Sequence, residues 1–284
     1  MDISAVKVIP YARRHRRELM NLLQSEEYLH IHLDWSSVDE WLGDPDTPIL
    51  LAYQDRTLVG VMAGSPALDG AAWLRLIALA HNADIDAVLA TMWSVLKVQL
   101  KASGVNEIAM LTLRPWIVPH IEPLGFIPRD SIVTLRRDGP HVPTPLRSDV
   151  HVRNADWREI STVAAVDHAA FAPIWQLSAS SLQQAARSSS SFTVAEIDNR
   201  VVGYQISTLY RDGAHLARLA TLPEVQGTGV GGVLLTELIQ YFIRRGVLSV
   251  TVNTQQTNAQ SLRLYQRYGF DFTGLNMDVW SQVL

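Results

Sequence analysis

The chain of 284 residues contains no cysteine. That excludes disulfide frameworks, thiolate zinc sites, iron–sulfur clusters and cysteine nucleophiles, and it fits a reducing, cytoplasmic setting. Lysine is scarce: of 24 basic residues, only Lys7, Lys97 and Lys101 are lysine, an arginine bias that reads as base composition. The net charge of −4 excludes a nucleic-acid partner held by overall positive charge. No apolar run approaches the ~18 residues that span a bilayer. Residues 1–17 lack the apolar segment of a secretory signal. No Gly-Lys-Ser/Thr follows the glycine-rich loop, and H-E-x-x-H and G-x-S-x-G do not occur.

What is present suits packed cores. Hydrophobic residues make up 48% of the chain and charged residues 18%. At about 150 residues per domain, the length predicts two domains. The segment DGPHVPTPLRSD, from Asp138 to Asp149, holds three prolines and a glycine and reads as a linker near the midpoint. Landmarks recur on either side of it. Gly60 returns as Gly203, Asp69-Gly70 as Asp212-Gly213, Arg75-Leu76 as Arg218-Leu219, and Gly125-Phe126 as Gly269-Phe270. The near-constant offset argues for duplication of a whole domain, with a period too long for a solenoid. We expect domains at 1–139 and 150–284, joined by 140–149.

Each half reads as α/β or α+β. In the second, Val150–Arg153, Phe192–Ile197, Arg200–Leu209, His215–Leu222, Val247–Asn253 and Thr273–Trp280 read as strands. Trp157–Ala170 and Asn258–Tyr268 read as helices. Leu234, Leu235, Leu238, Ile239 and Phe242 mark another, closed by Arg244-Arg245-Gly246.

The sharpest feature is Gln226-Gly227-Thr228-Gly229-Val230-Gly231-Gly232, between a strand and an amphipathic helix. Glycines let backbone approach a ligand and aim successive N–H groups at one spot. The helix start adds about half a positive charge, and together these suit a pyrophosphate. A bare tight turn needs fewer glycines. A dinucleotide fingerprint fits Gly227, Gly229 and Gly232 literally. However, Pro223–Gln226 separates the strand from the first glycine, and the next strand ends on Asn253 instead of an acid.

A third reading rests on resemblance. Gln226, Gly229 and Gly231 fill the Gln/Arg-x-x-Gly-x-Gly/Ala signature of the GNAT N-acetyltransferase superfamily. Leu219–Glu224 resembles that family's strand and exit, and Asn258–Tyr265 with Gly269-Phe270 resembles its second motif. The layout resembles tandem GNAT proteins of the mycothiol synthase type, in which the second domain is active. The resemblance implies two GNAT-type domains, each a mixed, mostly antiparallel sheet flanked by helices. It also implies acetyl transfer from acetyl-CoA to an amine of a small molecule or peptide by direct attack, in a monomer or homodimer.

The resemblance implies roles residue by residue. The backbone of Leu219, Ala220 and Thr221 pairs with the pantetheine arm. Gln226, Gly227, Thr228, Gly229, Val230 and Gly231 hold the pyrophosphate. Asn258, Ser261, Leu262 and Tyr265 share a helical stripe. Asn258 serves either the pantetheine arm or as an N-cap. Tyr265 stands where the family places the acid that protonates the leaving thiolate; a phenol near pKa 10 can do so.

The general base has two candidates. His215 shares an alternating face with Ala217, Leu219 and Thr221. It matches one of two strand histidines in a family member that this strand resembles, while Ala217 takes the second position. The alternative, Glu196, shares an apolar face with Phe192 and Val194, where a carboxylate has either an arginine partner or a job. Trp175 lies where the family's acceptor-binding helices usually are, with core packing as the competing role.

The first half departs from the pattern. Asp84 and Asp86 fall where Gly227 and Gly229 stand, and Ile121 falls at Tyr265. Carboxylates there oppose a pyrophosphate, so we expect a degenerate domain without normal acyl-CoA binding. Arg75 and Arg218 read as a shared structural ion pair. Arg13–Arg17 reads as a solvated helix face, and His30-x-His32-x-Asp34 as helix or loop rather than a metal site. A non-catalytic acyl-CoA sensor or scaffold, and a nucleotide-linked oxidoreductase, remain the alternative functions.

Overall fold

The computed structural model describes residues 5–24, 27–145, 147 and 149–284. The chain divides into two compact units, one comprising the residues up to Arg129 plus Met277–Leu284, the other Asp130–Asn276.

The first unit runs β1 (Lys7–Pro10), α1 (Arg16–Leu23), β2 (Tyr28–Ile31), α2 (Val38–Gly43), β3 (Ile49–Gln54), β4 (Thr57–Gly64), β5 (Ala71–Leu79), α3 (Ile85–Ala102), β6 (Glu107–Thr112) and α4 (Val118–Ile121). The second runs β7 (Ile127–Asp138), β8 (His151–Asn154), α5 (Ile160–Ala170), α6 (Ala179–Ser188), β9 (Ser191–Ile197), β10 (Arg200–Tyr210), β11 (Gly213–Thr221), α7 (Val230–Ile243), β12 (Ser249–Gln255), α8 (Ala259–Arg267) and β13 (Asp271–Val283). Strand β7 begins in the first unit, and β13 ends there.

Both sheets share one plan. In the second unit, β8, β9, β10 and β11 pair antiparallel in turn, β11 pairs parallel with β12, and β12 pairs antiparallel with β7. In the first, β1, β3, β4 and β5 pair antiparallel, β5 pairs parallel with β6, and β6 pairs antiparallel with Asp278–Val283 of β13. The β3–β4 and β9–β10 hairpins turn on Asp55-Arg56 and Asp198-Asn199, all four at positive φ. Two successive left-handed residues make the turn whose twist matches that of the strands, and Asp and Asn tolerate that conformation.

Helix packing follows the apolar spacing. Leu235, Leu238 and Phe242 of α7 pack with Leu216, Val250 and Val252 of the sheet. Val88, Met92 and Leu96 of α3 do the same with Leu74 and Ile77. Each such side chain contributes about 1.5–3 kcal/mol on burial.

The expected division at 1–139 and 150–284 differs from the compact units in one respect. Each unit completes its sheet with a strand from the other half of the sequence. Residues Ile132–Asp138 pair along β12, with Leu135 fully buried in the second core. Val279, also fully buried, lies on the strand that closes the first sheet. The physical reason is edge protection: an unpaired β12 would expose a row of backbone groups. The described residues of 140–149 form no helix or strand, and positions 146 and 148 of that expected linker lie outside the described residues.

The segment around His30 corrects the expectation of helix or loop. Tyr28–Ile31 pairs antiparallel with Leu76–Leu79 of β5, and His30 is fully buried. Burial pushes its imidazole down to about 3. Asp34 accepts from His32 Nε2 at 3.1 Å and from Arg75 Nη2 at 2.8 Å. Arg16 of the basic run pairs with Asp39 at 2.6 Å.

The exchanged strand predicts that residues 150–284 alone do not fold independently. That fragment lacks both the partner of β12 and Leu135. A differential scanning experiment should show no cooperative transition for it, whereas residues 130–284 should retain one. A sharp transition from the shorter fragment would contradict the assignment.

Candidate active site

The loop after β11 builds the centre of the site. A short turn at Pro223–Val225 leads into it, and Gly227 and Gly229 take φ values of 76° and 102°. Left-handed backbone of this kind strains any residue with a Cβ. A Cβ on Gly227 would meet nothing within 4 Å, so the loop is open on that side. Gly229 is the N-cap of α7, whose first-turn N–H groups lack intrahelical acceptors. Gln226 Nε2 donates to the Thr221 carbonyl at 3.2 Å and ties the loop back to β11. The Thr228 hydroxyl donates to the Val225 carbonyl at 2.8 Å, and Arg147 Nη1 donates to Thr228 Oγ1 at 3.0 Å. Val230 turns its side chain into the core, leaving its backbone for the loop.

The loop opens on a cavity of about 700 Å³. Leu219, Ala220 and Thr221 line one side, Phe171 another, and Asn258 and Ser261 of α8 a third. The cavity exists because β11 and β12 part. Their parallel pairing covers only Ala214–Leu216 against Val250–Val252. Beyond Leu216, the edge of β11 facing β12 has no ladder partner there, so its peptide groups face the gap.

A bulge at the parting point changes the expected faces of β11. Arg218 registers with Ile206, but Leu216 registers with Ser207, leaving Ala217 as an extra residue. An inserted residue shifts the alternation by one position. His215 therefore does not share a face with Leu219 and Thr221 as simple alternation predicts. It lies opposite Thr208, on the face that carries Arg218. Its Nδ1 is 2.9 Å from Thr251 Oγ1, and burial lowers its pKa below the usual 6.5.

Arg218 holds the α5 side of the cavity. Its Nε and Nη2 donate to Asp167 Oδ2 at 2.8 and 2.7 Å, and Nη2 also donates to the Trp175 carbonyl at 2.6 Å. The guanidinium lies 3.7 Å from the centre of the Phe171 ring. Asp167 is fully buried; it accepts Leu177 N–H at 2.8 Å and the Tyr204 hydroxyl. Arg75 pairs with Asp34 in the first unit, so the shared ion pair expected for both halves is present in each. Asp167 was missed in the sequence. It lies with Val163, Ala164 and Val166 among the buried residues of α5, and a carboxylate in that apolar stripe was the available signal.

Helix α8 supplies the other wall. Asn258 Oδ1 accepts from Ser261 N at 3.1 Å, so Asn258 acts as an N-cap while its side also lines the cavity. Tyr265 is 5% exposed, in the core cluster of Leu216 and Val252, with its ring 5.7 Å from that of Phe270. Burial raises its phenol pKa, and the charge of Arg218 opposes the rise. Tyr265 itself is not in the cavity wall, although Ser261 and Leu264 beside it on the helix are. His215 and Tyr265 thus lie on opposite faces of the sheet. The pattern also missed Arg263 and Arg267, which line the cavity from α8.

The structure does not bring His215, Glu196 or the Trp175 side chain to the cavity wall. Glu196 pairs with Arg153 at 2.6 Å, and Arg153 also pairs with Glu159. Trp175 contributes its carbonyl to Arg218. In the first unit, the Asp84 carboxylate caps α3 by accepting from Ala87 N at 3.1 Å. Asp86 pairs with His120 at 2.7 Å, and Ile121 is fully buried.

Asp167→Ala removes the acceptor of a guanidinium that is only 14% exposed and of a buried tyrosine hydroxyl. Breaking a buried pair in this way costs about 3–5 kcal/mol. Urea unfolding should show a loss of that order, and a loss under about 1 kcal/mol would contradict the role given to Asp167.

Comparison with known proteins agrees with this geometry. Residues 155–270 match the Acetyltransferase (GNAT) family. Mycothiol acetyltransferase from Acidimicrobium ferrooxidans is 26% identical over 221 residues, 69% of each chain. The [ribosomal protein bS18]-alanine N-acetyltransferase of Salmonella typhimurium is 32% identical over 74 residues, 26% of this chain and 50% of that one. A tandem GNAT protein from the clavulanic acid biosynthesis pathway has the same fold, with a TM-score of 0.63, 12% identity and 98% of both chains covered. The glycine loop, the parted strands and the repeated sheet plan agree with these matches: residues 155–270 match the GNAT acetyltransferase family, and the fold is similar to that of a tandem GNAT protein.

Proposed function

We propose that the second unit is an acetyl-CoA-dependent N-acetyltransferase acting on an amine of a small molecule or peptide. The observation that carries this reading is the single cavity shared by the glycine loop, the unpaired edge of β11 and the start of α8. The fit is physical. The open left-handed glycines and first-turn N–H groups suit a diphosphate. The free strand edge suits the amide-rich pantetheine arm, which can add to it as a strand would.

Acetyl-CoA supplies the acetyl group as a thioester already activated for attack. The chain's own residues do the rest. A backbone N–H of Leu219–Thr221 donates to the thioester oxygen as negative charge develops there. His215, uncharged at neutral pH because burial lowers its pKa, accepts the proton leaving the amine nitrogen. Thr251 holds the ring through Nδ1, which leaves Nε2 for that proton. Tyr265, kept protonated by burial, returns a proton to the departing sulfur. In the first unit, Asp84 and Asp86 place carboxylates at the start of α3, so we assign it no normal acyl-CoA binding.

One observation favours a second reading, a non-catalytic acyl-CoA sensor: Tyr265 is almost wholly buried. Three experiments decide. Isothermal titration should show acetyl-CoA binding to the wild type and its loss in Gly229→Glu with the far-UV spectrum unchanged; no binding by the wild type ends the proposal. On an amine panel, Tyr265→Phe should lower kcat by about 10²–10⁴-fold with cofactor binding retained. The pH profile of kcat/KM should fall on the acid side below 6.5, as His215 gains a proton, and His215→Asn should abolish that limb. Binding without turnover by the wild type would favour the sensor.

A further inference from the structure

We propose that Tyr28–Ile31 is a built-in occupant of the first unit's cofactor groove, a strand lying where the second unit leaves its cavity open. The first unit is then closed to acyl-CoA by its own backbone, independently of the carboxylates at the start of α3. The acetyl-CoA reading above supplies only the identity of the ligand shut out. The sheets part in the same way. In the second unit, β11 and β12 pair over Ala214–Leu216 and Val250–Val252 and then separate. In the first, β5 and β6 pair over Ala71–Trp73 and Glu107–Ala109, the corresponding positions of the repeat. A register shift follows in both, passing over Ala217 in one and Arg75 in the other. Past the shift, Gly60 pairs with Leu79 as Gly203 pairs with Thr221. Ile77, Ala78 and Leu79 are therefore the counterparts of Leu219, Ala220 and Thr221.

What covers those counterparts differs. Leu219, Ala220 and Thr221 line the open cavity. Ile77, Ala78 and Leu79 pair antiparallel with His30, Leu29 and Tyr28, and the His32 N–H extends the ladder by donating to the Arg75 carbonyl at 2.9 Å. Ile77, Ala78 and Leu79 are at most 1% exposed, whereas Leu219 and Thr221 are half-buried. The other edge of β2 is held as well. Trp116 Nε1 donates to the Leu29 carbonyl at 3.3 Å, and its ring meets that of Tyr28 edge-on at 5.5 Å. Trp116 is the second residue after the N-cap Arg114, as Gln260 is after the N-cap Asn258, and Gln260 belongs to the cavity wall opposite β11. Strand β2 thus bridges the two walls of the groove. Its end is clamped by Arg75, whose Nη2 donates to Asp34 at 2.8 Å and whose Nη1 lies 2.9 Å from His32 Nδ1. A parted strand leaves peptide groups that need partners, and an added strand supplies them. A segment tethered to the groove outcompetes a free ligand of similar fit, because its effective concentration is high.

The test is hydrogen exchange of the full chain, read amide by amide, with and without saturating acetyl-CoA. The Arg75 carbonyl accepts from β2, so alternation points the N–H groups of Ile77 and Leu79 at β2 as well. The Leu222 N–H donates to the Val202 carbonyl of β10, so those of Leu219 and Thr221 point into the gap. Without ligand, Ile77 and Leu79 should exchange roughly 10-fold or more slowly than Leu219 and Thr221. Acetyl-CoA should slow Leu219 and Thr221 and leave Ile77, Leu79 and Tyr28–Ile31 unchanged. Trp116→Phe should speed Ile77 and Leu79 by roughly 2- to 10-fold, the worth of one hydrogen bond. In calorimetry, a variant carrying Asp84→Gly and Asp86→Gly should still bind one acetyl-CoA per chain, because the groove stays filled. Equal exchange at the two pairs of amides without ligand overturns the proposal, as does a change at Tyr28–Ile31 on adding acetyl-CoA or a second equivalent bound by the double variant. Leu219 and Thr221 unmoved by acetyl-CoA would instead overturn the acetyl-CoA reading and leave the strand's role standing. If the variants unfold, the wild-type comparison still decides.

Discussion

The site depends on one event in the sheet, the parting of β11 from β12 after Leu216. Up to that residue the two strands share a parallel ladder; beyond it the edge of β11 is free. A β-sheet does not leave interior peptide groups unpaired without cause, because each costs about as much as a lost hydrogen bond. Here the extra residue at Ala217 marks where the ladder ends and re-aims the side chains that follow. The same irregularity gives the cavity its depth, puts His215 on the far face, and turns Arg218 toward α5.

Arg218 shows how the parted strand is held. A guanidinium and a carboxylate buried together add little net stability, but each is costly without the other. The pair therefore works as a constraint. Asp167 fixes Arg218, Arg218 stacks on Phe171 and binds the Trp175 carbonyl, and the stretch after α5 becomes one wall of the cavity. The first unit keeps a related arrangement, with Arg75 bound to Asp34 and its Cζ 5.3 Å from the centre of the Trp73 ring. It differs at the helix start, where Asp84 replaces open glycine geometry with a carboxylate cap. Duplication has kept the packing device in both units, and the glycine loop stands in one.

Burial sets the protonation states around the gap. Desolvation lowers the His215 imidazole and raises the Tyr265 phenol, so both are neutral at physiological pH. Charge gathers instead at the glycine loop, where backbone amides and two arginines meet in a cavity wall whose lining residues include no carboxylate. Glu196, in contrast, is paired with Arg153, which it shares with Glu159, in a cluster on β8, β9 and the turn before α5.

Local chemistry made much of this legible in the sequence alone. Most strands and helices of the second half, α6 excepted, together with the glycine loop and the N-cap at Asn258, rest on interactions within a few residues. Such interactions are written in periodicity and residue type. Three features required the folded chain. The bulge at Ala217 moved His215 off its expected face, because alternation counts residues and cannot see an insertion in a ladder. The pairing of 132–138 with β12, and of 278–283 with β6, joins segments far apart in sequence. The partners of Asp167, and the cavity that Arg263 and Arg267 share with the loop, likewise come from distant elements. Sequence determined what each segment is; long-range pairing decided which strands complete each sheet and which side chains meet at the gap.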